Sequence, residues 1–124
     1  GPKIIKHNYG RIVNVASIWS IVSRAERSIY SSSKNALVGL TKALAVEWAS
    51  HNVLVNAVSP GFTLTELTKS TNTTEQLKGL EDIIPAKRMA ETIEIARLIA
   101  FLCSDLNTYL TGQNITIDGG YSNV

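Results

Sequence analysis

Residues 10–34 read GRIVNVASIWSIVSRAERSIYSSSK and join a strand pattern to the start of a helix. The β-branched run at residues 12–15 is typical of a strand that is covered on both faces. From Ser28 to about Ser50, apolar residues recur at three or four positions, and this period predicts a helix with one buried face. A short apolar strand followed by a long amphipathic helix indicates an α/β protein.

The sequence after residue 50 repeats this alternation. A second apolar run ends in Ser59-Pro60-Gly61, and a long threonine-rich segment separates it from a second helix and a third short strand. Because strands that alternate with helices are joined by crossovers, we expect a parallel sheet with right-handed connections. The predicted elements are a strand at Val53–Val58, a polar lid with short helical pieces between Phe62 and Arg88, a helix at Ala90–Ser104 and a strand at Ile115–Ile117.

Tyr30 and Lys34 form the first candidate for chemistry. Residues four apart lie one above the other on a helix, so the ammonium of Lys34 can approach the phenol of Tyr30. A positive charge beside a phenol favours the ionised form, which suits the group to proton transfer near neutral pH. Ser17, thirteen residues before Tyr30, could donate a hydrogen bond to the oxygen of a carbonyl substrate. A hydrolase that uses Ser17 as nucleophile is disfavoured, because no Gly-x-Ser-x-Gly elbow surrounds it.

Four motifs in a fixed order extend this pattern over almost the whole chain, from about Lys3 to Gly120. They are GRIVNVAS at residues 10–17, the Tyr30–Lys34 pair, NAVSPG at residues 56–61 and TGQNITIDGG at residues 111–120. Together they resemble the short-chain dehydrogenase/reductase family. The resemblance implies hydride transfer between NAD or NADP and a carbonyl or secondary alcohol, as in 3-oxoacyl carrier-protein reductases and related sugar or alcohol dehydrogenases.

The resemblance also assigns roles to residues. It implies that Tyr30 donates or accepts the proton, that Lys34 activates Tyr30 and holds the nicotinamide ribose, and that Ser17 orients the carbonyl. The residues that it places beside the nicotinamide carboxamide are Pro60, Gly61, Thr63 and Thr65, with Thr63 acting mainly through its backbone and Thr65 through its hydroxyl.

One part of the family pattern is missing from this sequence. No Gly-x-x-x-Gly-x-Gly turn is present to seat a pyrophosphate, and Asn8 does not match the family's catalytic asparagine. Residues 1–124 are therefore expected to be the C-terminal catalytic half of a single Rossmann-like doubly wound parallel sheet, without the nucleotide-binding half. Such a half would expose a strand edge, so we expect it to need the missing half or to form a homo-oligomer. The alternative function is a truncated, non-catalytic interaction or oligomerisation module.

Composition excludes several other classes. The net charge of +2 is too small and dispersed for nucleic acid, and no apolar run is long enough to cross a membrane. The single cysteine, Cys103, is expected to be a buried structural thiol in a cytoplasmic protein. Trp19 either lines a substrate pocket or packs, with packing favoured. Arg24 and Arg27 either meet an anionic substrate or carrier or form a solvated surface, with the surface favoured.

Overall fold

The computed structural model describes residues 2–124. Within them, short 3₁₀ turns occur at Ile18–Ser20, Ala49–His51 and Tyr121–Asn123. The helices are α1 (Pro2–Lys6), α2 (Ser28–Trp48), α3 (Glu66–Thr71), α4 (Thr74–Ile83) and α5 (Thr92–Cys103). The strands are β1 (Gly10–Val15), β2 (Val53–Pro60), β3 (Thr63–Leu64), β4 (Ala90–Glu91) and β5 (Asn114–Ile117).

The main sheet is parallel, as the alternation of strands and helices predicts. Its order is β1-β2-β5, with Val15 opposite Val58 and Ala57 opposite Asn114. The small strands β3 and β4 pair in parallel as a separate two-stranded sheet. The predicted strands and the two long helices are thus confirmed within a few residues of their expected ends, and the α/β class is confirmed with them.

Strand β2 lies at the centre of the core. Every residue from Val53 to Ser59 is buried, because β2 has a strand on each side and a helix on each face. Val53 and Val55 pack with Ala45 of α2 on one face. Val58 packs on the other face with the apolar side of α5, which includes Ile95 and Leu102. This alternation is the period of two that a strand between two helix layers requires.

Local sequence explains where the elements begin and end. Asn52 has a left-handed backbone (φ 54°), which asparagine tolerates well, and this turn separates the end of α2 from β2. At the start of helix α5 the N–H of Glu91 donates to the carboxylate of Glu94, at 2.8 Å. Helix α4 begins with a reciprocal capping box between Thr73 and Gln76.

The polar segment between Phe62 and Arg88 folds into two short helices, α3 and α4, as expected from its composition. Neither helix contains a buried residue. The segment is held at its end by Ile84 and Met89, whose side chains are almost fully buried. The segment is thus a surface unit attached by apolar anchors, and its role as a lid stays a prediction.

One expectation from the sequence is wrong: Cys103 is exposed and not buried, because it follows the inward-facing Leu102 and so projects from another side of α5. Strand β1 has a helix on each face, since Ile12 packs on the side of α2 and Val13 on the side of α5. Most of the strand is nevertheless only partly buried, and Val15 is 49% exposed. In the described part of the chain β1 pairs only with β2, so it forms an open edge. None of the helices in residues 2–124 has the length and apolar character needed to span a membrane.

Candidate active site

The first two turns of α2 place Tyr30 and Lys34 together at the carboxyl end of β1. The ammonium Nζ of Lys34 lies 5.6 Å from the centroid of the Tyr30 ring. The same Nζ donates a hydrogen bond to the carbonyl oxygen of Val15, at 3.1 Å. Tyr30 is 44% exposed, so its ring remains accessible from outside. The pair predicted from its spacing is therefore brought to the end of β1, two residues before Ser17.

Ser17 is held at the start of the 3₁₀ turn that follows β1. Its side chain is nearly buried, and its Oγ accepts a hydrogen bond from the backbone N–H of Trp19, at 3.3 Å. Its carbonyl oxygen accepts from the hydroxyl of Ser20, at 2.7 Å. Among the described residues the Ser17 hydroxyl proton has no acceptor, so it is free to donate to a ligand.

A buried contact fixes the position of α2 along β1. Thr41, which is fully buried, accepts a hydrogen bond from the side-chain amide of Asn14 at 2.9 Å and donates to the carbonyl oxygen of Leu37 at 2.7 Å. Thr41 lies two helical turns after Lys34 on the same stripe of the helix. The contact in β1 therefore sets the register that brings Lys34 to Val15.

The loop between Ser17 and Tyr30 is tied to the start of α2. The hydroxyls of Ser23 and Ser31 lie 3.0 Å apart, and Ser31 is nearly buried. Glu26 in this loop has a left-handed backbone (φ 66°), a conformation that costs energy for a residue other than glycine. This loop has no glycine, so the turn is made by a strained residue and a hydroxyl pair.

A second group of predicted residues lies at the carboxyl end of β2 and just beyond it. Pro60, Thr63 and Thr65 line an open cavity of about 320 Å³ against α5. Thr63 donates its hydroxyl to the carbonyl oxygen of Gly61, at 3.2 Å. The hydroxyl of Thr65 caps α3 by accepting from the N–H of Thr68, at 3.1 Å. The hydroxyl expected to meet the carboxamide thus already has a structural role.

Gly61 permits a close approach inside the protein. A Cβ at this position would lie 2.7 Å from Cβ and 2.8 Å from Cα of Asp118, which follows β5. The N–H of Gly61 donates to the carbonyl oxygen of Ile117, at 2.9 Å. The absence of a side chain is therefore required where β2 and β5 converge.

A hydroxyl–amide network joins the ends of the strands. The hydroxyl of Ser59, fully buried, donates to Oδ1 of Asn114 at 2.7 Å and lies 3.0 Å from the hydroxyl of Ser20. The Nδ2 of Asn114 donates to Ser20 Oγ at 3.3 Å. The sequence alone predicts no role for these residues, because the bonds join positions that are distant in the chain and no local pattern marks them.

Three aromatic rings form a wall next to Ser17. The rings of Trp19, Phe62 and Tyr121 meet edge to face, with centroids 5.1 to 6.4 Å apart. The favoured packing of Trp19 is thus confirmed, although its ring remains partly exposed. The guanidinium of Arg24 lies over this ring, 5.4 Å from the centroid.

Two carboxylates near this wall are held ionised. Glu94 forms an ion pair with Arg88 at 2.7 Å and accepts from the backbone N–H of Glu91, and these contacts lower its pKa to about 2. Partial burial works to raise the pKa of Asp118, but hydrogen bonds from Ser122 and Gly120 outweigh it and hold this pKa below its ordinary value. Both carboxylates line a cavity of about 200 Å³.

The site combines an exposed phenol, an ammonium, a hydroxyl with a free proton and a cavity at the carboxyl ends of neighbouring parallel strands. Ligands bind at this edge in open α/β sheets. A phenol, a cation and a donor hydroxyl together can transfer a proton to a carbonyl oxygen and stabilise the charge that develops there.

The chain is similar to known oxidoreductases over almost its whole length. A family model described as enoyl-(acyl carrier protein) reductase matches residues 1–122. The chain is 42% identical over 119 residues to the 3-oxoacyl-acyl-carrier-protein reductase FabG of Aquifex aeolicus, covering 95% of this chain and 47% of that protein. It is 40% identical over 122 residues to the NAD-dependent glycerol dehydrogenase of Listeria innocua, covering 98% and 48%.

Solved structures agree with these relatives. The crystal structure of a gluconate 5-dehydrogenase from Burkholderia cenocepacia, in complex with NADP and tartrate, superimposes with a TM-score of 0.91 at 27% identity, covering 99% of this chain and 49% of that one. The chain therefore spans about half the length of the relatives that it matches. The Rossmann-like fold predicted from the motifs is confirmed, and the chain belongs to the short-chain dehydrogenase/reductase family.

Proposed function

We propose that the protein carrying this chain transfers a hydride between NAD or NADP and a carbonyl or secondary alcohol. The observation that carries the proposal is the position of Lys34, whose ammonium lies near the Tyr30 ring and also bonds to Val15, two residues before Ser17. This contact joins a proton donor, a cation and a donor hydroxyl at one strand end. Membership of an oxidoreductase family supports the same reaction.

In the reducing direction, the phenol of Tyr30 gives its proton to the carbonyl oxygen as the carbonyl carbon receives the hydride. The product is a secondary alcohol, and the Tyr30 oxygen is left ionised beside the ammonium of Lys34, which stabilises it. The Ser17 hydroxyl donates a hydrogen bond to the same carbonyl oxygen and fixes its direction. In the oxidising direction each step runs in reverse, with Tyr30 as the base.

The residues present fit the nicotinamide end of a dinucleotide, which when bound supplies or accepts the hydride. Pro60, Thr63 and Thr65 line a cavity at the end of β2, and Lys34 lies at the end of the neighbouring strand. These four residues would hold the carboxamide and the ribose. Gly61 is packed against Asp118, so it would contribute to cofactor binding by allowing the path of the backbone and not by contacting the cofactor itself. One relative is a NAD-dependent enzyme and one similar structure contains NADP, so the experiment on this protein must include both cofactors.

We further propose that residues 1–124 form the C-terminal, catalytic half of one Rossmann-like domain. The open edge of β1, with Val15 half exposed, and the half-length match to the relatives support this division. A nucleotide-binding half, or a second copy of the chain in a homo-oligomer, would cover that edge. The expected cytoplasmic location stays a prediction.

The test uses the protein at its full natural length, with NADH and NADPH and with three carbonyl substrates: an acetoacetyl thioester, dihydroxyacetone and a keto sugar acid. Tyr30→Phe should lower turnover by about 10²- to 10⁴-fold, the range for loss of a general acid, while cofactor binding measured by fluorescence persists. Tyr109→Phe is the matched control, because Tyr109 is 94% exposed and distant in sequence from the site.

Retention of most of the activity by Tyr30→Phe would exclude the proposed proton donor. Complete lack of turnover and of cofactor binding by the unmodified protein would favour the alternative, a non-catalytic interaction module.

A further inference from the structure

Arg24 lies over the indole ring of Trp19 in the loop that precedes Tyr30. Its guanidinium carbon is 5.4 Å from the ring centroid, and its side chain is exposed to solvent. A guanidinium over the face of an indole is attracted by the ring and loses freedom of rotation. Arg24 is thus oriented by the protein, although it lies on the surface.

The hydrogen-bond donors of Arg24 are unused. Within residues 2–124 its guanidinium makes no hydrogen bond, and no carboxylate lies within 4 Å of it. The cation–π contact with Trp19 uses the charge of the group and none of its five N–H donors, so these remain available. Arg11 is an instructive contrast. It also lies over a ring, that of Tyr9, but it donates to the backbone carbonyls of Asn107 and Asn52 and so serves the fold.

The ring that carries Arg24 belongs to the wall of the candidate active site. The backbone N–H of Trp19 donates to Ser17 Oγ, and its ring packs against Phe62 and Tyr121. The guanidinium of Arg24 therefore contacts the aromatic wall through Trp19, which is two residues after Ser17. A negatively charged group on a substrate whose carbonyl meets Ser17 and Tyr30 would find these donors at the rim.

We propose that Arg24 is a specificity-determining residue that binds a carboxylate of the substrate, so that the protein prefers carbonyl or hydroxyl compounds with an acidic group. The inference rests on the proposed function and adds the substrate class. A single planar guanidinium matches one carboxylate in charge and in bidentate geometry. Docking of an acidic carrier protein would use several basic groups on an open surface. Arg27, the nearest such group in sequence, has no ring contact among the described residues.

The test compares a keto acid with its amide, which has the same carbon skeleton and no charge, in the full-length protein. Arg24→Gln should lower kcat/KM for the acid by about 10- to 100-fold and change that for the amide by less than about threefold, as expected for loss of a charged hydrogen bond. Arg24→Lys should retain part of the preference, because it keeps the charge and loses the fork. Arg27→Gln is the matched control and should change neither substrate.

A binding measurement tests carboxylate binding by Arg24 independently of the proposed reaction. Calorimetric titration with succinate, a dicarboxylate that cannot be reduced, should give a Kd about 10-fold or more higher for Arg24→Gln than for the unmodified protein. Equal affinities, or equal losses for acid and amide, would overturn the role of Arg24 whether or not the protein turns over either substrate. A different result would favour carrier docking over carboxylate binding by Arg24. In that result Arg24→Gln and Arg27→Gln lower kcat/KM for an acyl carrier protein thioester equally and leave kcat/KM for the keto acid unchanged.

Discussion

Replacement of Gly61 by alanine tests how β2 and β5 converge behind the candidate site. The added Cβ would lie 2.7 Å from Cβ and 2.8 Å from Cα of Asp118. Carbon atoms in contact are ordinarily about 3.5 to 4.0 Å apart, so the overlap is close to 1 Å. Gly61 does not have a left-handed backbone, and the expected effect is therefore steric and not conformational.

The obstacle is backbone, which limits relaxation. The Cα of Asp118 directly follows β5, and the hydrogen bond from Gly61 N–H to Ile117 holds the two strand ends together. A flexible side chain could move away at small cost, but here the strand ends must separate. We therefore expect Gly61→Ala to lower the free energy of unfolding by about 1 to 3 kcal/mol, the usual range for overpacking.

Urea denaturation of the full-length protein measures this change, and Gly79→Ala provides the matched control. Gly79 lies inside α4, and a Cβ there would meet no atom within 4 Å. Alanine at that position should raise the free energy of unfolding by about 0.5 to 1 kcal/mol, since glycine is unfavourable inside a helix. A stability for Gly61→Ala equal to or above that of the unmodified protein would refute the packing argument.

Two further predictions concern polar groups. Arg88 lowers the pKa of Glu94 from 4.5 to about 2, so the unmodified protein should lose stability from this group as pH falls from about 4.5 towards 2. Glu94→Gln removes the carboxylate and should therefore remove this part of the pH dependence, which urea denaturation across the range measures. Glu47→Gln is the control, because Glu47 is exposed and has no ion pair among the described residues. Asn56→Leu should cost about 1 to 3 kcal/mol in the same assay at neutral pH, because the buried Asn56 amide donates to the carbonyl of Leu110 at 2.7 Å and accepts from the N–H of Gln113 at 3.1 Å, and that N–H would lose its partner; a loss below about 0.5 kcal/mol would contradict this.

The sign of the pH effect follows from proton counts. Between pH 2 and 4.5 the unfolded chain binds more protons at Glu94 than the folded chain, because the folded pKa is the lower one. Stability from this group therefore rises with pH through that window and is fully present above it.

The elements that depend on local periodicity could be predicted from the sequence. Helix α2 is visible in the recurrence of Leu37, Leu44 and Trp48, and strand β2 in a run of residues 53–58 that is apolar except for Asn56. The proximity of Tyr30 and Lys34 follows from helix geometry alone. These features need no knowledge of the rest of the chain, because each is determined within one element.

Features that depend on contacts distant in sequence could not be predicted. The bonds among Ser20, Ser59 and Asn114 span up to 94 residues, and no local pattern marks them. Cys103 is exposed because it is one residue away from the inward-facing Leu102 and so lies on another side of α5. The apolar composition of the helix does not determine which of its sides is buried. The close approach of Gly61 to Asp118 also depends on a distant residue, because a glycine in the sequence does not reveal which neighbour requires it.

The open edge of β1 and the position of Lys34 are physically connected. The N–H of Ala16 donates to the carbonyl of Val58, so the peptide groups of the preceding residue, Val15, are directed away from β2. Its carbonyl would face water if Lys34 did not bond to it. A carbonyl oxygen has two lone pairs, so it can accept from Lys34 and from the N–H of a further strand at the same time. The position of the ammonium near Tyr30 is therefore compatible with a sheet that continues beyond β1, and the proposed division into two halves requires no rearrangement of the catalytic pair.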